Sequence, residues 1–188
     1  MPRVASAFAP EDTKLAYELI EDLNDVNVLP FELRLFKLSD TKGGIAKSPD
    51  LKDLDEIWLD YQPNSLAWPL FSKRLKSTIS KCLTGNEGID WIEAKVNSNE
   101  EARIYYIPRF SKVLDVLDKQ KTIFVQGTDR IVKPCFSLSK INPYNIFHQP
   151  SAHNLWKITS GLYVGESLKK SIQKEKLTGI NFEKILVA

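Results

Sequence analysis

Behind Pro10-Glu11-Asp12, apolar residues recur at helical spacing through Leu15, Leu19, Ile20 and Leu23. A proline suits a first turn and acids suit the positive helix end, so this stretch predicts an N-terminal amphipathic helix. Phe31-Glu32-Leu33-Arg34-Leu35 alternates apolar and charged positions and predicts a half-buried strand, with a bulge where Phe36 and Leu38 break phase. Lys42-Gly43-Gly44 through Ser48-Pro49 reads as a loop, and Ile57-Trp58-Leu59-Asp60-Tyr61 as a strand that stops at Pro63-Asn64. Ser72 then caps a helix running through Leu75, Ile79 and Leu83, with Gly85 closing it in the left-handed conformation. Extended structure resumes at Ile89-Asp90-Trp91-Ile92 and again over 102–107. Residues 113–118 fit a short helix and a buried turn equally well, while 123–125, 131–138 and 155–158 are further strand candidates. Residues 141–154 hold two Pro, three Asn and both His, which predicts an ordered loop carrying buried aromatics at Tyr144 and Phe147.

One plan occurs twice. Leu70-Phe71-Ser72-Lys73-Arg74-Leu75 answers to Tyr163-Val164-Gly165-Glu166-Ser167-Leu168, and Leu83-Thr84-Gly85 to Leu177-Thr178-Gly179. Gly88-Ile89-Asp90-Trp91 likewise answers to Gly179-Ile180-Asn181-Phe182. Two copies do not make a solenoid, for which three adjacent repeats are needed. The expected fold is α+β: a mainly antiparallel sheet with two echoed strand-helix-strand units plus the N-terminal helix.

Composition sets the outer bounds. With 188 residues, 43% hydrophobic and 27% charged, the chain has a globular profile, and residues 1–188 are read as a single domain. A domain of this length buries roughly 70% of the surface its unfolded chain exposes, so neither metals nor disulfides are needed. Cys82 and Cys135 stand at unrelated spacing and read as buried thiols in a reducing compartment. No apolar run reaches eighteen residues and the opening nine are too short for a secretory segment, so a cytoplasmic location is expected.

Charge is uneven. Residues 1–61 hold thirteen acids and seven bases, net −6, and the remainder carries net +8. An acidic face meeting a basic partner is one reading and two solvated surfaces the other. Nucleic acid is disfavoured, because the lysines are dispersed with no phosphate loop and no aromatic stacking motif. A basic stripe of Lys73, Arg74, Lys76, Lys169 and Lys170, with the echoed helices side by side, would favour it.

Candidate chemistry is sparse. His148 and His153 sit five positions apart across a proline, which is not the one-turn spacing that aims two ligands at one metal. Asp115 and Asp118 could share a helical face but need a pocket to act as a pair. No seryl or cysteinyl nucleophile motif is present. No catalytic, metal or cofactor site is therefore assigned, and the alternative of a small enzyme would use the 148–153 loop. Trp68, between Ala67 and Pro69, is the aromatic expected to be exposed as an interface anchor.

From about Leu66 to Val187 the chain resembles bacterial immunity proteins of polymorphic toxin systems, a group once known only as a domain of unknown function and typified by a myxobacterial member. The resemblance lies in Trp58-Leu59-Asp60-Tyr61 ahead of Pro69-Leu70-Phe71-Ser72-Lys73-Arg74-Leu75, in Tyr105-Tyr106 leading to Val113-Leu114-Asp115, and in the close. That close reads Leu155-Trp156-Lys157-Ile158, Leu162-Tyr163-Val164-Gly165-Glu166-Ser167-Leu168 and Leu177-Thr178-Gly179-Ile180-Asn181-Phe182. Gly165 stands where that family usually has Ser, which implies a second helix without a hydroxyl cap. The first sixty residues match poorly. The resemblance implies a non-enzymatic inhibitor that binds a toxin encoded by the adjacent gene, with no membrane role and no cofactor. Candidate toxin-facing residues are Glu18, Glu21, Asp22, Asp25, Asp53, Asp55 and Glu56, together with Trp68.

Overall fold

The computed structural model describes residues 6–8, 26–37, 58–62, 64, 68–98, 101–150 and 161–188. The predicted N-terminal helix, the 42–49 loop and the 155–158 strand lie outside the described residues. The strands are β1 (Ser6–Phe8), β2 (Leu33–Lys37), β3 (Tyr61–Gln62), β4 (Leu70–Phe71), β5 (Ile89–Ser98), β6 (Glu101–Phe110), β7 (Ile123–Phe124), β8 (Ile131–Lys133), β9 (Ile146–His148) and β10 (Leu162–Val164). The helices among the described residues are α1 (Lys73–Cys82), α2 (Leu138–Ile141) and α3 (Glu166–Lys174).

Six strands form one sheet in the order β1-β2-β5-β6-β4-β3, and two strand pairs, β9–β10 and β7–β8, stand apart from it. Every pairing is antiparallel except β2 with β5, so the architecture is α+β with a mainly antiparallel sheet. The long β5–β6 hairpin is its centre. Ile92 lies opposite Ile107 and Ala94 opposite Tyr105, so alternation puts these four on one face. There they pack with Leu29, Leu33, Trp68 and Leu70 into a buried core. The opposite face meets α1. Phe71, Leu75 and Ile79 join Leu168 and Ile172 of α3 in a second core, and Trp91 and Phe182 close over it.

The echo seen in the sequence is a local pseudo-twofold. In both units a strand pair feeds a helix: Tyr61 pairs Phe71 before α1, and Ile146 pairs Val164 before α3. The residues next outward match too, since Ser72 N donates to Asp60 O at 2.8 Å and Gly165 N to Asn145 O at 2.9 Å. The helices run antiparallel, with the start of α1 against the end of α3. Thr78 Oγ1 donates to Glu175 Oε2 at 2.9 Å, and Cys82 Sγ to Ser171 Oγ at 3.6 Å. Because 171 and 175 stand 93 positions after 78 and 82, this is one contact made twice with the partners exchanged, as twofold symmetry requires. The third member of the echo is not repeated. β5 follows α1, while residues 180–182 form no strand.

Caps follow the sequence closely. Ser72 Oγ accepts from Leu75 N at 3.2 Å, while Gly165 at the start of α3 offers no side-chain cap. A third core gathers Phe110, Leu114, Val116, Leu117, Phe136 and Phe147. Phe136 ties three backbone rows together there, antiparallel to Leu117 and parallel to Val187.

Several expectations change. Of the strand foreseen over 57–61, Ile57 lies outside the described residues, 58–60 are irregular, and the strand itself is Tyr61–Gln62. Just before it, Gln62 Oε1 accepts from Leu59 N at 3.0 Å and Tyr105 donates its hydroxyl to Leu59 O at 2.8 Å. Those backbone groups are satisfied by side chains and need no ladder. No bulge occurs at Phe36, which pairs Ala7 in unbroken register. The strand over 131–138 ends at Lys133, because Pro134 offers no N–H, and Leu138 instead opens α2. Residues 141–154 are more than a loop, since β9 lies inside them. Phe147 is buried there as expected, with Tyr144 only half-buried. The 113–118 stretch is irregular, with Leu114, Val116 and Leu117 buried.

Candidate functional site

Glu18, Glu21, Asp22, Asp25, Asp53, Asp55 and Glu56 lie outside the described residues. Trp68 is described, and it is not exposed: 4% of its surface is open, within the core beneath β5 and β6. The irregular backbone around it can be buried because Asn64 serves both of its polar groups. Asn64 Nδ2 donates to Trp68 O at 2.6 Å, and Trp68 N donates to Asn64 Oδ1 at 3.2 Å. A tryptophan in an irregular segment reads as exposed from sequence, and only the tertiary fold reveals the amide that lets it go inside.

The histidine loop is divided. His153 lies outside the described residues, and His148 sits in β9 with its ring buried, 4.4 Å from the Phe110 ring. Burial pushes the imidazole below its ordinary range; the carbonyls of Gln149 and Lys112 oppose this only in part. Its Nδ1 donates to Gln149 O at 3.0 Å. Asp115 and Asp118 do not act together. Asp115 holds Lys140 Nζ at 2.9 Å, and Asp118 Oδ1 accepts from Gln120 N at 3.0 Å in the following turn. Among the described residues, no group of three or more His, Cys, Asp or Glu could hold a metal ion.

Two buried carboxylates do structural work at opposite ends of the helix pair. Asp60 Oδ1 accepts from Ser72 Oγ at 2.6 Å, while its Oδ2 accepts from Thr178 N at 2.9 Å and meets Arg74 Nη1 at 3.4 Å. The start of α1 is thereby tied to the segment after α3. Glu87 serves the other end, accepting from Thr84 N at 3.0 Å, Thr84 Oγ1 at 3.0 Å and Asn145 N at 3.0 Å. Burial alone would raise its pKa; the hydrogen bonds from Asn145 and Thr84 outweigh this and hold it below the ordinary range. Asn145 completes that end by donating Nδ2 to Cys82 O at 2.7 Å and accepting from Ser167 Oγ at 2.6 Å.

Because the helices run antiparallel, the echoed bases at the start of each stand at opposite ends of the pair, and several are engaged locally. Lys76 Nζ lies 3.7 Å from the Tyr106 ring centre, Lys169 pairs Glu166 at 3.5 Å, and Arg74 reaches Glu175 O at 3.0 Å. This is a structural lattice of cations, not an open stripe aimed at phosphates.

The immunity protein family (Imm11) matches residues 45–187. The chain belongs to this family. The Imm11 match starts twenty-one residues before the point at which the sequence resemblance becomes legible, so part of the acidic N-terminal third belongs to the family region. Within it fall both echoed units, the second and third cores, the first core apart from Leu29 and Leu33, and the polar ties at the ends of the helix pair. No curated protein matches the chain. Among the described residues, no helix is long and apolar enough to cross a membrane.

Proposed function

We propose that this Imm11 family member binds a cognate bacterial toxin, encoded by the adjacent gene, and neutralises it by stoichiometric protein–protein contact in the cytoplasm. It performs no catalysis of its own in this reading. The single observation in support is the family match over residues 45–187. The rigid antiparallel helix pair, pinned at each end by a buried carboxylate, suits a protein whose task is to present fixed surfaces.

Glu18, Glu21, Asp22, Asp25, Asp53, Asp55 and Glu56 are proposed as one toxin-facing surface, on the strength of the net −6 over residues 1–61. Trp68 leaves that set, because its side chain fills the core. The test is calorimetric titration of the full chain with a catalytically inactivated form of the polypeptide encoded next to it, at two salt concentrations. One-to-one binding is expected, weaker at the higher salt. Absence of heat and of a co-migrating complex at either salt overturns the reading.

A further inference from the structure

Seven of the ten large apolar side chains that stand exposed among the described residues fall in two stretches, 123–138 and 185–187. The backbone joins the two stretches at Phe136–Leu138. Phe136 N donates to Leu186 O at 3.2 Å, Ala188 N to Phe136 O at 2.8 Å, and Leu138 N to Ala188 O at 2.7 Å. Leu186 and Ala188 thus turn their polar groups inward, while Val187 directs its N–H and C=O to the other side. Neither Ile185 nor Val187 has a backbone hydrogen bond to any described residue. Among the described residues the row 185–188, bridged to Phe136, is therefore paired along one side only, and an open extended edge is a template for another chain. Leu138 beside that row is 62% exposed, Leu186 within it 55%, and Val132, four residues before Phe136, 62%. Soluble proteins seldom leave neighbouring apolar side chains open in this way unless something covers them.

The rim limits what that something is. Lys121 and Lys140 are matched by Asp118 and Asp115. Lys119, Arg130 and Lys133 have no carboxylate within ion-pair distance among the described residues, and over 115–141 the net charge is +2. A symmetric pair of copies would set two such rims against each other, which charge repulsion opposes. A foreign protein with acidic side chains flanking an extended apolar segment fits both features.

We propose that this strip is a docking surface for the toxin, which adds an extended apolar segment along the 185–188 edge and sets acidic side chains against Lys119, Arg130 and Lys133. Strand addition draws affinity from main-chain hydrogen bonds and specificity from alternate side chains. The identity of the partner rests on the immunity reading; the existence of the surface does not.

The probe is the inactivated polypeptide encoded beside this gene, titrated into the full chain and its variants. Val132→Glu with Leu186→Glu places charge in the strip. Val187→Pro removes the outward donor while leaving the inward bonds of Leu186 and Ala188 in place. Lys170→Glu with Lys174→Glu changes charge on α3, away from the strip, and serves as the control. Both strip variants are expected to bind about tenfold more weakly or worse, with the control unchanged. All these positions are exposed, so thermal melts should match the parent. If the parent binds the probe and both strip variants bind it equally well, the docking surface is wrong and the immunity reading stands. If the parent itself fails to bind, the immunity reading falls and takes this proposal with it. A parent dimer in sedimentation that the glutamate variant abolishes would assign the strip to a second copy and also overturn it.

Discussion

Gly85 and Gly179 occupy matching places after α1 and α3, and both hold positive φ, +88° and +81°. Their surroundings differ. A Cβ at Gly85 would meet open space, whereas at Gly179 it would overlap the Tyr61 carbonyl oxygen and crowd Leu59 Cβ at 3.1 Å. Gly85→Ala should therefore cost about 1 kcal/mol, the left-handed penalty alone. Gly179→Ala adds a clash with the backbone of β3, and about 3 kcal/mol or more is expected. Urea unfolding of the two variants checks this, and equal losses would mean that the turn after α3 yields freely. His148 makes a second residue-scale case. Its folded pKa lies below the ordinary value of about 6.5, so at mildly acid pH the unfolded chain binds a proton that the folded chain refuses. Stability from this group is complete above about pH 6.5 and declines as pH falls through the window between the unfolded and folded values. Unfolding free energies at pH 5 and pH 7 should differ more for the parent than for His148→Gln, and identical pH slopes would contradict the buried neutral ring.

The helix pair is the element on which the two halves of the echo depend, and its two ends are fastened by different chemistry. Asp60 and Asn145 hold equivalent places, each accepting from the residue that begins the neighbouring helix unit through its own carbonyl. One is a carboxylate and the other an amide, with Glu87 supplying the charge that Asn145 lacks. Asp60→Ala strands the Ser72 hydroxyl and Thr178 N–H and should cost about 3 kcal/mol, within the range for breaking a buried charged network. Asp60→Asn copies the other end but turns an amide donor toward Thr178, so a smaller loss of about 1–2 kcal/mol is expected. Chemical denaturation that ranked the asparagine variant below the alanine variant would refute this account. The same element shows what a sequence can carry. α1 was legible because its determinants are local: a Ser72 cap, the Leu75 and Ile79 stripe, and a glycine beyond the end. β9 was hidden because two apolar residues and a histidine between prolines become a strand only through pairing with β10. The N-terminal half of the echo was hidden likewise, since Asp60-Tyr61-Gln62 and Asn145-Ile146-Phe147 share no pattern of residue types. The apolar strip is illegible in the sequence for a related reason. Val132 lies in a stretch that reads as strand and hence as core, and only the packing of its neighbours leaves it outside.

At the scale of the whole molecule the two proposed toxin contacts differ in physical character, and that difference separates them in one kinetic experiment. Residues 1–61 carry net −6 and the remainder +8, so a charged partner is oriented before contact. Long-range attraction of this kind acts on association and is screened within about 10 Å at 0.1 M salt. Reversing Glu18, Glu21, Asp22, Asp25, Asp53, Asp55 and Glu56 to Lys should therefore slow association with the toxin and flatten its salt dependence, with dissociation little changed. The strip at 123–138 and 185–188 works chiefly through desolvated side chains and main-chain hydrogen bonds, which salt scarcely touches, with only the cations of its rim open to screening. Its effect falls on the dissociation rate, because truncating short-range contacts shortens the lifetime of a complex more than it hinders encounter. Val132→Asn with Leu186→Asn, which leave the charge unchanged, should accordingly speed dissociation about tenfold or more while the salt slope of association keeps the parent value. The two sets of substitutions lie in different parts of the chain, so their free-energy effects on binding should add to within about 0.5 kcal/mol. Surface plasmon resonance on the parent, each set and the combination, at two salt concentrations, reads all of these quantities together. Acidic-set variants that changed only the dissociation rate would place those residues inside the contact instead of ahead of it, and strip variants that changed only association would remove the case for an added strand.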